Sequence, residues 1–240
     1  MTKINLFKRA FRLKESNCAV LSDRECCIEV AICSIKKNRI LLENYIKEHP
    51  RFLHSFEPIF IDDGPDVVRL MAKASEKANV GPMAAVAGVI ADLAVKEMID
   101  SGCKVAVVEN GGEISAVSNQ TIDIAFAAGD EPLSKEMGFR LKEFPIGVAT
   151  SSGKYSHAFS FGDASGVTIF ADNAGTADAA ATAVANLMIG DNNIQNIIRI
   201  GIDRGLSIDG VKGVFILYRD VVGKAGQIPE LLKINLENEK

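Results

Sequence analysis

The chain has 240 residues, a hydrophobic share of 48%, a charged share of 24% and a net charge of −4. That length and apolar content suffice for a sizeable buried core, while the acidic balance argues against a nucleic-acid partner, which calls for a concentrated basic face. Five cysteines at 18, 26, 27, 33 and 103, odd in number and without a CxxC, argue against a disulfide framework and a zinc ribbon.

Reduced, buried thiols in a cytoplasmic protein are the expectation from those cysteines. The N-terminus carries charges every few residues and shows no secretory signal. The most apolar window, Val80 to Val95, is broken by Asp92 and is too short for a membrane span. It reads as a buried helix, and no membrane partner is expected.

In chain order, INLFKRAFRL and ECCIEVAICSI place β-branched and aromatic residues on alternate positions and predict strands. In the first, Lys8, Arg12 and Lys14 share one parity and Phe7, Phe11 and Leu13 the other. With Arg9 these cations form the clearest basic cluster, and they read as the wet side of a strand. On the second strand Cys26 and Cys27 would face opposite sides and not act as a pair. KKNRILLENYIKEHP predicts an amphipathic helix stopped by Pro50. A second helix starts near Asp66 behind the turn DDGP. A third runs from Pro82 towards a stop at Gly102.

KVAVVEN, ISAV, TIDIAFAA and FPIGVATSS predict strands, and a polar, Gly-rich loop follows between Thr150 and Gly166. VTIFAD is the next strand. NAGTADAAATAVANLMIG is an alanine-rich helix, NNIQNIIRIGIDRG another, and GVFILYR the final strand. The order predicts an α+β protein of antiparallel sheets covered by helices. It spans 1–240 as one domain or as two intertwined halves, with helical blocks 66–101 and 175–205 hinting at duplication and a frayed tail over 233–240.

Three segments offer chemistry, each behind a predicted strand. In Asn110-Gly111-Gly112-Glu113 two glycines allow a sharp turn and close approach to a ligand. A plain hairpin turn is the competing reading. Thr150-Ser151-Ser152-Gly153-Lys154-Tyr155 can present several backbone N–H groups to a phosphate without being a Walker loop, and His157 follows in the same polar stretch. Asp178 and Thr182, four apart on one helix face, make a hard-oxygen pair suited to Mg²⁺. A dipole effect for Asp178 and a local hydrogen bond for Thr182 explain the same pair without a ligand.

NGGE, TSSGKY-S-H and ADAAATA in this order resemble the ApbE superfamily, the FAD:protein FMN transferases once called thiamine-biosynthesis lipoproteins. The likeness covers roughly residues 105–190. The first third looks like a separate cytoplasmic branch, with VGPMAAVAGVIAD as its characteristic segment. The resemblance implies a duplicated T-fold-like α+β architecture, Asp178 and Thr182 as metal ligands, and a flavin or nucleotide pocket lined by Asn110 to Glu113 and Thr150 to Tyr155. It places His157 near the reacting phosphate. In such transferases Mg²⁺ polarises the FAD pyrophosphate, an acceptor protein's threonine attacks and AMP leaves.

Where the family has a run like I-I-D-P-x-T-G, this chain has AFSFGDASG, two residues longer and without Pro, with Asp163 standing for the family's aspartate. The expected cofactors are Mg²⁺ and FAD or FMN, with a protein acceptor and a homodimer as further options. Three functions compete. One is Mg²⁺-dependent FMN transfer or FAD pyrophosphate cleavage. The second is a non-catalytic flavin-binding or carrier protein. The third is a cysteine- or persulfide-dependent role in anaerobic sulfur metabolism, which the strand position of Cys26 and Cys27 disfavours.

Overall fold

The computed structural model describes residues 5–125, 137–151, 166–190 and 192–233. Strands β1 (Phe7–Leu13) and β2 (Ser16–Ser22) form a hairpin, with Lys14 at positive φ in its two-residue turn. Lys8, Arg12 and Lys14 are exposed while Phe7, Phe11 and Leu13 pack on the core, as their parity predicts.

Four helices follow: α1 (Glu25–Glu48), α2 (Arg51–His54), α3 (Asp66–Ala78) and, after a 3₁₀ turn at Pro82–Ala85, α4 (Val86–Asp100). The strand expected at ECCIEVAICSI is instead the first half of α1. Its buried residues Ile28, Ala31, Ile35, Asn38 and Leu42 recur every three to four positions, with Cys27 and Ile32 beside them. That period serves a helix packed on α4, and burial of the resulting stripe overrides β-propensity. The predicted helices at Asp66 and Pro82 are present, and Gly102 at φ +90° closes the latter.

Strands β3 (Ala106–Asn110), β4 (Glu113–Val117), β5 (Ile122–Ala125), β6 (Met137–Leu141), β7 (Ile146–Ser151) and β8 (Gly166–Ala171) come next. Helices α5 (Ala174–Ala185) and α6 (Ile194–Leu206) precede β9 (Val211–Tyr218), β10 (Val221–Gly226) and β11 (Glu230–Lys233). GVFILYR is therefore not the final strand, and Lys233, expected in a frayed tail, is paired with Met137. Strand β2, hidden in the polar stretch SNCAVLS, and the short β6 were also missed.

The large sheet runs β1-β2-β3-β4-β7-β8-β9-β10, antiparallel throughout. Its two halves repeat one plan, two strands, helices, two strands, and they meet where β4 pairs with β7. This is the duplicated α+β arrangement. The helices cover one face, over a core that includes Val108, Ala149, Ile169 and Val214. A small sheet, β11-β6-β5, covers the other face over Ile114, Val148, Phe139 and Phe170. No single helix among the described residues is long and apolar enough to cross a membrane.

Candidate functional site

Helices α4 and α5 cross at backbone contact. A Cβ on Gly88 would stand 2.2 Å from the Ala174 carbonyl oxygen, and one on Gly175 would stand 2.5 Å from Val89 Cγ2. The alanines of α5 are buried nearly all round, between the sheet and the other helices. They serve this close packing.

Two aspartates use the crossing in reverse directions. Asp178 of α5 accepts the Gly88 N–H at the start of α4 at 3.0 Å, with the Ala87 N–H also directed to it. Asp92 of α4 accepts the Ala174 and Gly175 N–H groups at the start of α5 at 2.9 and 2.8 Å, and the Ser115 hydroxyl at 2.7 Å. Each helix thus supplies the carboxylate that satisfies its neighbour's orphan amides. The sequence echoes the exchange: Ala87-Gly88-Val89-Ile90-Ala91-Asp92 and Ala174-Gly175-Thr176-Ala177-Asp178.

The NGGE segment is a two-residue hairpin turn. Asn110 pairs with Glu113, and Gly111 and Gly112 take φ of +74° and +115°, the mirror-image backbone that hairpin turns prefer. The Asn110 side chain is already engaged: its amide donates to the Ala87 carbonyl at 3.0 Å and its oxygen accepts from Cys18 Sγ at 3.4 Å. It holds the turn against the start of α4. Glu113 shares its strand face with Ser115 and so faces the helices beside Asp178.

Both carboxylates, Asp178 and Glu113, are half-buried, and the Asp178 charge acts on Glu113. Burial, reinforced by the Asp92 charge, pushes Asp178 up to about 7, against the pull of the Gly88 and Ala87 amides. Burial, then the charges of Asp178 and Glu109, hold Glu113 well above the usual carboxylate range. Burial also raises Asp92, opposed by its bonds from Ser115, Gly175 and Ala174. Thr182 lies one turn beyond Asp178 and is half-buried.

The sheet divides the remaining candidates. Ser151 shares the helix-facing parity of Ala149 and Gly147. Thr150 faces the small sheet and bonds Thr168 between hydroxyls at 2.9 Å. Gly112, Thr150 and Thr168 line a cavity of about 710 Å³ between the sheets, together with Lys8, Glu109 and Ile114. Strand β4 begins beside the end of β7, so the NGGE turn and Glu113 lie at the same end of the sheet as Thr150 and Ser151. Ser152, Gly153, Tyr155, His157 and Asp163 lie outside the described residues. A second cavity, of about 460 Å³, opens by Asp92 and Thr176, but two of its three lysines are already paired, Lys77 with Asp209 and Lys96 with Asp100.

Among the described residues no three His, Cys, Asp or Glu side chains form a ready metal cage. Cys26 and Cys27 occupy the first turn of α1, not a strand, which removes the strand argument against thiol chemistry. Burial supplies a different one for Cys18, Cys27 and Cys103, whereas Cys26 and Cys33 are exposed, contrary to the expectation of buried thiols. Desolvation pushes Cys18 and Cys27 up to about 11 and suppresses their thiolates.

In the sequence alone Asp92 reads only as a polar break in an apolar helix. The repeated Ala-Gly…Ala-Asp pattern is the signal that identifies it.

A model of the family described as AbpE bacteria matches residues 9–201. The UPF0280 protein of Methanococcus vannielii is 39% identical over 235 residues, 96% of this chain and 94% of the relative. That of Methanocaldococcus jannaschii is 41% identical over 232 residues, 95% and 93%. Among solved structures, the ApbE protein of Thermotoga maritima aligns with TM-score 0.63 at 13% identity, over 92% of this chain and 97% of that one. The apo flavinyl transferase ApbE of Pseudomonas stutzeri aligns with TM-score 0.58 at 15% identity, over 92% and 94%. The duplicated fold is therefore of the ApbE type.

Proposed function

We propose that this chain, which belongs to the AbpE bacteria family, binds a phosphate-bearing flavin nucleotide around its NGGE turn, with Mg²⁺ held by Asp178 and Thr182. The meeting of Asp178 and Glu113 carries this reading. Burial raises both carboxylates, with the Asp178 charge adding to Glu113 and the Asp92 charge to Asp178. Such crowding is costly unless a cation joins it. The donors are hard oxygens. Mg²⁺ suits a site with one or two carboxylates, because it keeps waters and takes ligand phosphates for its remaining positions.

When bound, the ion supplies charge neutralisation and polarisation of a pyrophosphate. The chain supplies the rest. Gly111 and Gly112 let the turn backbone approach the ligand. The cavity walls Ile114, Ile122 and Phe139 offer an apolar slot for a flat ring system, and its volume lies in the range of small-molecule sites. Lys8, which also lines the cavity, adds positive charge there. His157 and Asp163 retain the roles the resemblance gives them. Transfer of FMN to a protein acceptor, or cleavage of the FAD pyrophosphate, is the reaction such an arrangement supports.

Titrating the protein with FAD, with and without Mg²⁺, and assaying AMP and FMN tests this. We expect Mg²⁺-dependent FAD binding that Asp178→Ala abolishes while circular dichroism stays native. Saturable binding without AMP release identifies a carrier. No FAD binding in either condition overturns the reading.

A further inference from the structure

We propose that Asp92 is a positioning residue for the Asp178–Thr182 site, because one half-buried carboxylate ties together the three elements that carry the site. This rests on the metal reading above. Asp92 belongs to α4 and bonds α5 through Ala174 and Gly175 and β4 through Ser115. Those elements bring, respectively, the amides that orient Asp178, the residues Asp178 and Thr182, and Glu113.

The start of α5 does not need Asp92 for an ordinary cap. The Asn173 side chain already accepts the Thr176 N–H at 2.8 Å, and its carbonyl accepts that of Ala177 at 3.1 Å. Asp92 takes the Ala174 and Gly175 amides, so the first three N–H groups of the helix are satisfied and one pair fixes α5 to its neighbour. Asp178 lies one turn further along the same rigid helix, so any shift at Ala174 and Gly175 is carried to Asp178 and Thr182. Ser115 lies two residues from Glu113 on the same face of β4, so the same carboxylate also sets that strand. The backbone contacts at Gly88 and Gly175 leave the crossing little other freedom.

Asn at position 92 keeps the size but replaces one acceptor oxygen with a donor, which opposes the Ala174 or the Gly175 amide whichever way it turns. The test compares wild type, Asp92→Asn, Ser115→Ala and the control Met98→Ala. Met98 is buried on the same helix and bonds none of these groups through its side chain. Two readouts are used: Mn²⁺ affinity by electron paramagnetic resonance, and hydrogen exchange of the Gly88 amide, which bonds Asp178 and not Asp92.

We expect Asp92→Asn to weaken Mn²⁺ binding by about ten- to a hundredfold, the usual effect of losing a group that orients a metal ligand. Gly88 exchange should accelerate with it. Ser115→Ala should shift both in the same direction and less, and Met98→Ala should move neither beyond its effect on global stability. Asp92→Asn with wild-type affinity and unchanged Gly88 exchange overturns the proposal. So does Met98→Ala weakening Mn²⁺ equally. If Asp92→Asn does not fold, Ser115→Ala decides by the same two readouts. If wild type binds no Mn²⁺, the metal reading falls. Gly88 exchange then decides alone: acceleration beyond the Met98→Ala control sustains the positioning of Asp178, and no acceleration ends it.

Discussion

Asp178 gives the protein a pH dependence whose sign follows from its environment. Its folded value is raised, to about 7, above the ordinary aspartate value. Between those two values the folded state holds a proton that the unfolded chain releases, so stability falls as pH rises through that window. Glu113, raised by burial and by Asp178, adds to the fall. Metal-free wild type should therefore melt lower at about pH 8 than at about pH 5, and Asp178→Asn should flatten that difference. A wild-type melting temperature that rises over this interval, with no flattening in the variant, would contradict the assignment. At this scale the sequence exposed Asp178, Asn110 and Glu113 because glycines or a regular spacing frame them. It hid what Asn110 does: its side chain spans two bonds to residues at 18 and 87, which no local pattern reports. Asp92 was hidden for the same reason, since all its partners are distant in sequence.

Among the elements, the α4–α5 crossing is the one most sensitive to side-chain size. Gly88→Ala would drive a methyl group onto the Ala174 carbonyl, and backbone cannot swing aside as a side chain can. Overpacking of this kind costs about 1–3 kcal/mol, and because the shifted helix carries Asp178, metal affinity should fall with stability. Denaturant unfolding beside Mn²⁺ titration checks both. A Gly88→Ala protein as stable as wild type would mean that the helices separate easily. The same crossing explains which elements were legible. Helices α3 and α4 have clear start and stop residues and were read correctly from Asp66, Pro82 and Gly102. The first half of α1 was misread because its isoleucines suit either state, and the choice is made by the surface it lands on. Strand β2 was missed because its partners β1 and β3 supply its context, and β3 is far along the chain.

Across the whole molecule, the seam between the two halves decides how they fold. On the sheet it is short: Ile114 pairs with Val148, Ser115 with Gly147 and Ala116 with Ile146. On the helical face the same seam is crossed by Asp92 and Asp178, each capping a helix of the other half. On the opposite face β5 and β6 extend from one half, while Phe139 of β6 packs on Phe170 and Phe215 of the other. Each half alone would expose the apolar seam, including the Phe139 packing on Phe170 and Phe215, to water and would lose the carboxylate that caps its helix start. A fragment ending at Gln120 should therefore lack fixed tertiary structure by itself and gain it when mixed with a fragment beginning at Met137. Amide dispersion in nuclear magnetic resonance spectra reads this directly. A well-dispersed spectrum from the first fragment alone would show two independent folding units. The reciprocal capping at the seam would then serve only to orient the carboxylates of the proposed site.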